Sequence, residues 1–463
     1  ASTEYFQIEG VNTTVYLNLF LSFGIRKGTT AENGSGISIQ VSSDGTTWTA
    51  LTMPALPTGT GTATWYYRTC SGSIPSTSNL RIRFTSSNAV EWRLDDILLT
   101  DGTSSNVIHV DATGGTLYSA DYPNLKTAFD NINNGVHQGN IEISVYGNST
   151  ETIPAVLNES GGSASYTYVH IQPTGGVART ITGAIAGGSP LIDFNGADNV
   201  IINGLNSSGN SLIIANTTAS ATTGTCTIKF RNDASNNTIT NCSVLGSSTA
   251  NTGVSCGNII FGAESSSTGN SNNNISYCDI GPAGTNFNSK AIHFGGTLTS
   301  NNTNNTISNN NIFDYYNATT SSAGIYVDNN TTACDFLNNR FYQTSSRNYP
   351  ANIHSAIYIA NSNGNDFLIQ GNIIGYSNSA NSGVYQVIGT GGSPGTQFIP
   401  IYLNVGTTST TIVQGNTISN IAISGSCYGT SASSPFIGIY NNFGLVNITD
   451  NLIGSMTSTN SIT

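Results

Sequence analysis

A three-residue strand motif recurs along most of the chain and constrains its fold more than any other feature of the sequence. Each copy has an apolar residue, a variable residue and a third residue that is usually apolar. Successive copies lie about 31 to 44 residues apart, a repeat length typical of solenoids. They are Ile192-Asp193-Phe194, Ile228-Lys229-Phe230, Ile259-Ile260-Phe261, Ile292-His293-Phe294, Ile325-Tyr326-Val327, Ile357-Tyr358-Ile359, Ile401-Tyr402-Leu403 and Ile439-Tyr440-Asn441. Such short strands without intervening helices indicate coils in which identical positions stack.

A second motif follows each copy of the first: an apolar residue, then Asn three positions later, then another apolar residue two positions after that. The fourth position predicts an internal column in which each buried side chain bonds the next coil, since buried amides must be satisfied. Its predicted members are Asn203, Cys242, Cys278, Asn310, Asn339, Asn372, Asn416 and Asn451. Cys242 and Cys278 stand on adjacent rungs, so a disulfide between them is an alternative to two buried thiols.

The two motifs together predict a right-handed parallel β-helix of eight to ten coils. Stacked strands lie about 4.8 Å apart, so that every column runs along the helix axis. We expect the earliest coils to contain strands at Ile141–Val145 and Val169–Ile171. Leucine-rich repeats are excluded because the helical segments are missing, and a propeller is disfavoured because no four-strand blade recurs.

Residues 1–102 follow a different pattern. Apolar and polar residues alternate in Ile37–Val41 and Leu80–Phe84, and a tight turn at Ser43–Thr46 leads into Trp48. Alternation with one wet face is typical of antiparallel sheets packed as a sandwich. We therefore expect an N-terminal domain of antiparallel sheets packed as a sandwich over 1–102.

The remainder, 103–463, is predicted to be the β-helix domain. Residues 103–120 are expected to link the two domains, and about 122–134 to form a short amphipathic helix. Its apolar face would hold Leu125, Phe129 and Ile132. A helix of this kind caps the open end of a solenoid, where an unprotected edge would invite aggregation.

Two stretches resemble known families. "VSSDGTTWTAL", "SNLRIRFTSS" and "EWRLDDILLTDG" resemble the jelly-roll modules of proteins exported by bacterial type IX secretion. "YPNLKTAFDNINNG", "PLIDFNGADNVIINGL" and "NNTISNNNIFD" resemble pectin-lyase-like β-helices of very large type IX-secreted surface proteins. The resemblance implies that 1–102 is a jelly-roll domain, truncated at its first strands, and that an extracellular β-helix follows it. It says less about activity, since one fold hosts many functions.

Composition excludes several classes of protein. Only 8% of the residues are charged and the net charge is -11, with 13 basic residues scattered along the chain. Nucleic acid is therefore not an expected partner, because phosphate binding needs clustered Lys and Arg. No run of about 18 apolar residues predicts a membrane span. The seven cysteines form no CxxC pair, so we expect buried thiols and no zinc site.

The search for catalytic chemistry finds no shared cluster. The outward centres of the first motif begin with Asp193, Lys229, Ile260 and His293, so that no two acids are adjacent. Asp193 beside Lys229 is interpreted as a weak surface ion pair. We therefore expect no catalytic residues and no resident cofactor. Ca²⁺ at Asp95-Asp96, at a strand end of the first domain, is the metal alternative.

The same position holds tyrosine in the last four coils: Tyr326, Tyr358, Tyr402 and Tyr440. If the register is right, these form an outward aromatic column at the rung spacing. Aromatic rings with a hydroxyl suit sugars, whose C–H faces stack while their hydroxyl groups bond. The alternative is that stacked tyrosines only stabilise the sheet.

The pattern as a whole favours a non-enzymatic segment of a secreted or cell-surface adhesin or structural protein. Its expected partners are extracellular or cell-surface glycans or proteins, and the secretion machinery. The first alternative is a polysaccharide lyase or glycoside hydrolase with a jelly-roll accessory module. Such an enzyme would need acids concentrated in one groove. A second alternative is a passenger recognised only by the secretion machinery.

Overall fold

The computed structural model describes residues 4–14, 19–59, 62–101, 106–262, 269–296, 301–390, 395–455 and 461–463. The chain divides into two compact units, Ala1–Asn106 and Val107–Thr463. Both are built from strands, and the larger is a solenoid of about nine turns. Within the described ranges, no helix is long and apolar enough to cross a membrane.

The first unit holds two antiparallel sheets. Its strands are β1 (Tyr5–Val11), β2 (Leu19–Lys27), β3 (Ile37–Ser42), β4 (Thr49–Leu51), β5 (Tyr66–Thr69), β6 (Leu80–Ser86) and β7 (Trp92–Asp101). One sheet has the order β1-β6-β3-β4 and the other β5-β2-β7. Alternate residues of both sheets are buried in a common core that includes Phe23, Ile39 and Phe84. The predicted antiparallel sheets are thus present.

The second unit opens with an antiparallel hairpin and a helix. The hairpin consists of β8 (Ile108–Gly115) and β9 (Ser119–Tyr122), and β8 pairs with the first strand of the β-helix. Most of the predicted linker 103–120 is therefore part of a sheet, and its residues 103–105 lie outside the described residues. The linker prediction was wrong because β8 takes its strand partners from later in the chain.

The helix α1 (Leu125–Asn133) confirms the predicted cap. Asn124 is its N-cap, and the side-chain oxygen accepts a hydrogen bond from the Thr127 N–H at 2.8 Å. Its apolar face, which includes Leu125 and Phe129, is fully buried against the β-helix core. The helix thereby covers apolar side chains that the first coil would otherwise expose.

Three parallel sheets make the solenoid, and each coil visits them in the same order. The first sheet contains β8, β9, His137–Val145, Tyr166–Pro173, Val200–Asn203, Thr238–Thr240, Asn274–Ser276, Thr306–Ser308, Asp335–Leu337, Leu368–Gln370, Thr411–Gln414 and Val446–Thr449. The second contains Ser149–Glu151, Ala178–Gly183, Ser211–Asn216, Cys242–Gly246, Asp279–Pro282, Asn311–Phe313, Arg340–Tyr342, Ile373–Gly375, Thr417–Ser419 and Leu452–Ile453. The third contains Ala155–Asn158, Pro190–Asn195, Cys226–Arg231, Ile259–Gly262, Lys290–Gly295, Ser322–Val327, Ile353–Ala360, Gln397–Phe398, Ile401–Asn404 and Ile439–Phe443. The predicted parallel β-helix is confirmed.

Smaller strands lie in the loops between coils. Asn302–Thr303 pairs with Thr331–Thr332, and Arg347–Tyr349, Tyr385–Thr390 and Ile421–Ser426 form a parallel sheet of their own. Ser431–Ser433 is a short 3₁₀ turn. The longest loops therefore carry ordered strands that continue the rung-to-rung pairing.

Identical inward positions stack to form the core. The rings of Phe194, Phe230, Phe261 and Phe294 follow one another with centroid distances of 5.2, 4.6 and 4.3 Å. These distances are close to the spacing of about 4.8 Å between strands, because each ring occupies the same place on its coil. The first motif of the sequence is the source of this column.

Candidate functional site

The four tyrosines occupy one position of the third sheet on four successive coils. The register pairs Tyr326 with Tyr358, Tyr358 with Tyr402, and Tyr402 with Tyr440. The ring centroids are 5.1, 4.3 and 5.5 Å apart, with interplanar angles of 11°, 7° and 54°. All four side chains are half-buried. The first three rings therefore cover one another's faces and leave edges and hydroxyl groups for a ligand.

Burial raises the pKa of three of these phenols. The pKa of Tyr326 rises to about 12, through burial first and through Asp328 second. Burial is also the largest cause of the raised pKa values of Tyr358 and Tyr402. The hydroxyl groups stay protonated at neutral pH and can both donate and accept hydrogen bonds. The column therefore presents a line of uncharged polar groups.

A buried basic pair adjoins the N-terminal end of the column. Lys290 Nζ lies 4.3 Å from the centre of the Tyr326 ring, and the His293 ring meets that tyrosine edge-on with centroids 5.8 Å apart. Burial lowers the pKa of both basic groups. The ammonium group is positioned for a cation–π contact that holds the first ring of the column in place.

Three of the four earlier coils bury the residue at the same position. Asp193, Ile260 and His293 are all buried, although the sequence pattern predicts that they point outward. Asp193 accepts hydrogen bonds on both carboxylate oxygens from Arg231 Nε, at 2.9 and 3.0 Å. The interpretation of Asp193 as part of a surface ion pair was therefore wrong. Tertiary packing thus covers three of the four positions that precede the tyrosines, whereas Lys229 is half-buried as the tyrosines are.

The predicted asparagine column forms a continuous chain of hydrogen bonds between the first and second sheets. The side-chain Nδ2 of each Asn donates to the Oδ1 of the next, at 3.0, 3.1, 2.9 and 2.8 Å. The chain runs through Asn310, Asn339, Asn372, Asn416 and Asn451. Each Nδ2 also donates to a backbone carbonyl, as Asn372 does to Phe336 O at 2.8 Å. These amides have no hydrogen-bonding group left for a ligand, so their role is structural.

Cys242 and Cys278 continue the column toward the N-terminus. The Cys278 N–H donates to Asn310 Oδ1 at 2.9 Å, and both cysteines are buried free thiols. The pKa of Cys242 is raised, first by its hydrogen bond with Cys278 and then by burial. In the structure these rungs hold two thiols rather than a disulfide.

Asn203 lies outside this column, so its assignment was wrong. The register places Asn203 opposite Thr240, two residues before Cys242. Its Oδ1 accepts a hydrogen bond from Asn241 Nδ2 at 3.1 Å. The Gly204 N–H donates to the Thr240 carbonyl at 2.9 Å, which continues this register one residue further. The motif was aligned on Val200, whereas Ile202 pairs with Ile239.

A second asparagine ladder, which the sequence analysis missed, precedes the first sheet. Asn237 Nδ2 donates to Asn273 Oδ1, and Asn273 Nδ2 donates to Asn305 Oδ1, each at 3.0 Å. Asn305 Nδ2 then faces Cys334 Sγ at 3.9 Å. These residues stand two positions before the first apolar residue of each second motif. That spacing was a readable signal.

A cluster of carboxylate and imidazole side chains on the outer face of the first sheet was also missed. His109 Nδ1 lies 2.8 Å from Asp121 Oδ1, and His109 Nε2 lies 3.2 Å from Asp111 Oδ1. Burial alone would lower the pKa of His109, but the hydrogen bonds with the two carboxylates raise it to about 9. The imidazole is therefore charged at neutral pH and is a poor general base.

The next two strands extend this group. Glu142 pairs in register with Asp111 on one side and His170 on the other. Glu142 Oε2 lies 2.9 Å from His170 Nδ1, and Glu142 Oε1 accepts a hydrogen bond from the Tyr168 hydroxyl at 3.0 Å. Because 103–120 was interpreted as a linker, nothing in the sequence placed these residues together.

Metal-binding geometry is not found in the part of the chain that the structure describes, where no three His, Cys, Asp or Glu side chains cluster suitably. Asp95 and Asp96 are exposed, and the Asp96 N–H donates to Asp95 Oδ1 at 2.9 Å. Asp96 has a φ of 48° at an irregularity in the pairing of β2 and β7. This geometry accounts for the pair as a local backbone feature.

No protein-family profile matches the chain, and no curated protein sequence matches it. The chain is structurally similar to a GH87 α-1,3-glucanase catalytic unit from Streptomyces thermodiastaticus, at 13% identity and TM-score 0.32, over 98% of this chain and 89% of that one. It is similar to PfbA, a surface adhesin of Streptococcus pneumoniae, at 12% identity and TM-score 0.33, over 72% and 87%. Likeness at this level says nothing about what this chain binds or catalyses.

Proposed function

We propose that this chain is a non-enzymatic segment of a secreted or cell-surface adhesin or structural protein. Its contact surface is the tyrosine column formed by Tyr326, Tyr358, Tyr402 and Tyr440. The observation that carries the proposal is this alignment of half-buried phenols on four successive coils. The expected partners are extracellular glycans or proteins, and the first unit acts as a jelly-roll module that binds or spaces. Export by type IX secretion belongs to the same proposal.

The stacking of the rings decides how a ligand would bind. Sugar faces cannot reach between rings that are 4.3 to 5.1 Å apart. A glycan would instead lie along the helix axis, meet one hydroxyl group per rung and pack against ring edges. Each contact contributes on the order of 1 kcal/mol, by analogy with aromatic pairs, so several rungs must act together.

Replacement of both central tyrosines by phenylalanine tests the proposal. Tyr358→Phe with Tyr402→Phe keeps the stacked rings and removes only their hydroxyl groups. We expect at least a fivefold loss of binding to glycan arrays or to cells, with an unchanged melting temperature. Tyr342→Phe is the matched control, since Tyr342 stacks on Phe313 in the second sheet with centroids 5.4 Å apart. Unchanged adhesion by the double variant would assign the column a scaffold role.

The second candidate function is a polysaccharide-degrading enzyme, favoured by the group around Glu142. Asp111, Asp121 and Glu142 bring carboxylates together on one face, as a glycosidase needs. All three have imidazole partners in the structure, His109 for the two aspartates and His170 for Glu142. Incubation with uronic-acid and neutral polysaccharides, with and without Ca²⁺, should give no products. Steady turnover that Glu142→Gln abolishes would establish the enzyme instead.

A further inference from the structure

The first unit contains a groove where its two sheets are left open at one side. The strands β1 and β7 each lie at the end of their sheet, and one sheet has four strands where the other has three. Between them lies a groove of about 870 Å³, lined by Phe6 of β1, Phe84 of β6, and Trp92 and Leu94 of β7. Among the described residues of the first unit, the sandwich is thus open along the edge of β7.

Side chains that belong to the sandwich core remain accessible in this groove. The Phe6 side chain is 52% exposed, although its ring packs 6.2 Å from that of Phe84. Trp92 and Leu94 line the groove and pack against the core, and yet stay only partly buried. They stand at alternate positions of β7, as the residues on one face of a strand do.

The backbone of β7 also calls for an occupant. The outer edge of β7 has no strand partner among the described residues, and a free edge offers a row of backbone N–H and C=O groups. An extended polypeptide satisfies the edge and the apolar row together, which a globular ligand or a sugar does not.

We propose that this groove binds an extended peptide of a different protein, which adds a strand to the free edge of β7. Alternate apolar side chains of the peptide enter the groove, while main-chain hydrogen bonds to β7 supply register and affinity. Glu4 and Glu91 line the groove, and Arg93 pairs with Glu91 at 2.7 Å. The lining therefore has a net negative charge, which favours a peptide with a basic residue at the end that lies beside Glu4 and Glu91. The site is independent of the tyrosine column.

Synthetic peptides test the proposal on the full chain. One fluorescein-labelled nine-residue peptide alternates Val and Thr after an N-terminal Lys, and a second has the same composition with its valines in one block. We expect the alternating peptide to bind at least tenfold more tightly by fluorescence anisotropy. Hydrogen exchange of β7 amides should slow at least tenfold in its presence. Equal binding of the two peptides would overturn the proposal.

Backbone methylation separates strand addition from apolar adsorption. Successive N–H groups of a strand point to opposite edges, so N-methylation at alternate residues should abolish binding in one register and be tolerated in the other. Tolerance of both registers would contradict strand pairing. Analytical ultracentrifugation shows whether the chain forms a dimer. If a dimer persists in excess peptide, and the β7 amides are protected from hydrogen exchange in it, a second copy occupies the edge and the proposal is wrong.

Two matched variants locate the site. Phe6→Ser removes an exposed groove ring and should weaken peptide binding at least fivefold. Leu98→Ser removes a side chain of similar exposure, 50%, which does not pack against the core cluster as its neighbours Ile97 and Leu99 do. We expect this control to bind as the parent does. Loss of binding in Leu98→Ser with none in Phe6→Ser would contradict the proposed orientation.

Discussion

Single side chains in this protein repeat one chemical solution from coil to coil. Each ladder Asn both donates to and accepts from its neighbours, so that a buried amide is fully satisfied without water. The residue before it has a left-handed conformation, with φ of 57° at Asn309, 55° at Asn338 and 68° at Gly371. Asn and Gly tolerate that conformation best. The recurrence of Asn-Asn and Gly-Asn pairs thus has two separate causes, backbone shape and buried hydrogen bonding.

Removal of one rung of the ladder should be costly. Asn372→Ala would leave the N–H of Asn339 and the carbonyl of Phe336 without their buried partners. We expect the free energy of unfolding to fall by about 3 kcal/mol, since each unsatisfied buried group costs about 1–3 kcal/mol. Urea denaturation measures the loss. The exposed Asn363→Ala is the control, and an equal effect there would contradict the ladder's role.

His109 predicts a dependence of stability on alkaline pH. Its folded-state pKa of about 9 lies above the value of about 6.5 expected in the unfolded chain. The stabilisation is therefore fully present below about pH 6.5 and is lost as pH rises through about 9. The melting temperature should fall more between pH 6 and pH 10 in the parent than in His109→Gln. Parallel pH profiles would show that Asp111 and Asp121 do not hold a charged imidazole.

At the scale of elements, α1 is tied to the β-helix by a buried acid. Glu151, in the second sheet, accepts hydrogen bonds from the N–H groups of Leu125 and Lys126 at 2.9 and 3.0 Å. These are among the N–H groups that a helix leaves unsatisfied at its start. The negative charge also complements the helix dipole. One side chain therefore joins the cap to the first coil.

Loss of this acid should loosen the cap. Glu151→Ala leaves the Lys126 N–H without its acceptor and leaves the Leu125 N–H only the longer hydrogen bond to Ser149 Oγ, at 3.3 Å. We expect the change to cost about 2–3 kcal/mol, as for hydrogen bonds to charged groups. Hydrogen exchange should show α1 amides opening earlier than those of the central coils. Glu159→Ala, at an exposed site in the same unit, should leave both measurements unchanged. Faster exchange throughout the unit would instead indicate global unfolding without a separate cap.

At the scale of the whole molecule, the stability of the solenoid comes from contacts between successive coils. One inward column of the first sheet passes through Ile307, Ile369, Val413 and Ile448. Ile307 is fully buried between coils, whereas Ile448 is 45% exposed on the last described coil. The same position in the repeat therefore has different numbers of neighbours along the axis.

This difference predicts unequal costs for one substitution. Ile307→Ala should lower the free energy of unfolding by about 2–5 kcal/mol, the range for buried Ile→Ala changes. Ile448→Ala should lower the free energy of unfolding by less than about half of that amount, because the Ile448 side chain loses fewer contacts. Urea denaturation of both variants measures the difference. Equal losses would mean that Ile448 is covered in solution.

The sequence by itself determined the parallel β-helix, the capping helix and the alignment of Tyr326 with Tyr440. These follow from local strand patterns and from stacking at a constant rung spacing, both of which can be read from one chain. Only the tertiary structure decided that β8 extends the first sheet, that Asn203 leaves the ladder and that Asp193 is buried. The pairing of the hairpin, the strand register and the burial of side chains all depend on contacts between distant residues, which no local pattern records. The stacking of the tyrosine rings has the same origin, since side-chain packing fixes ring planes that a repeat period leaves free.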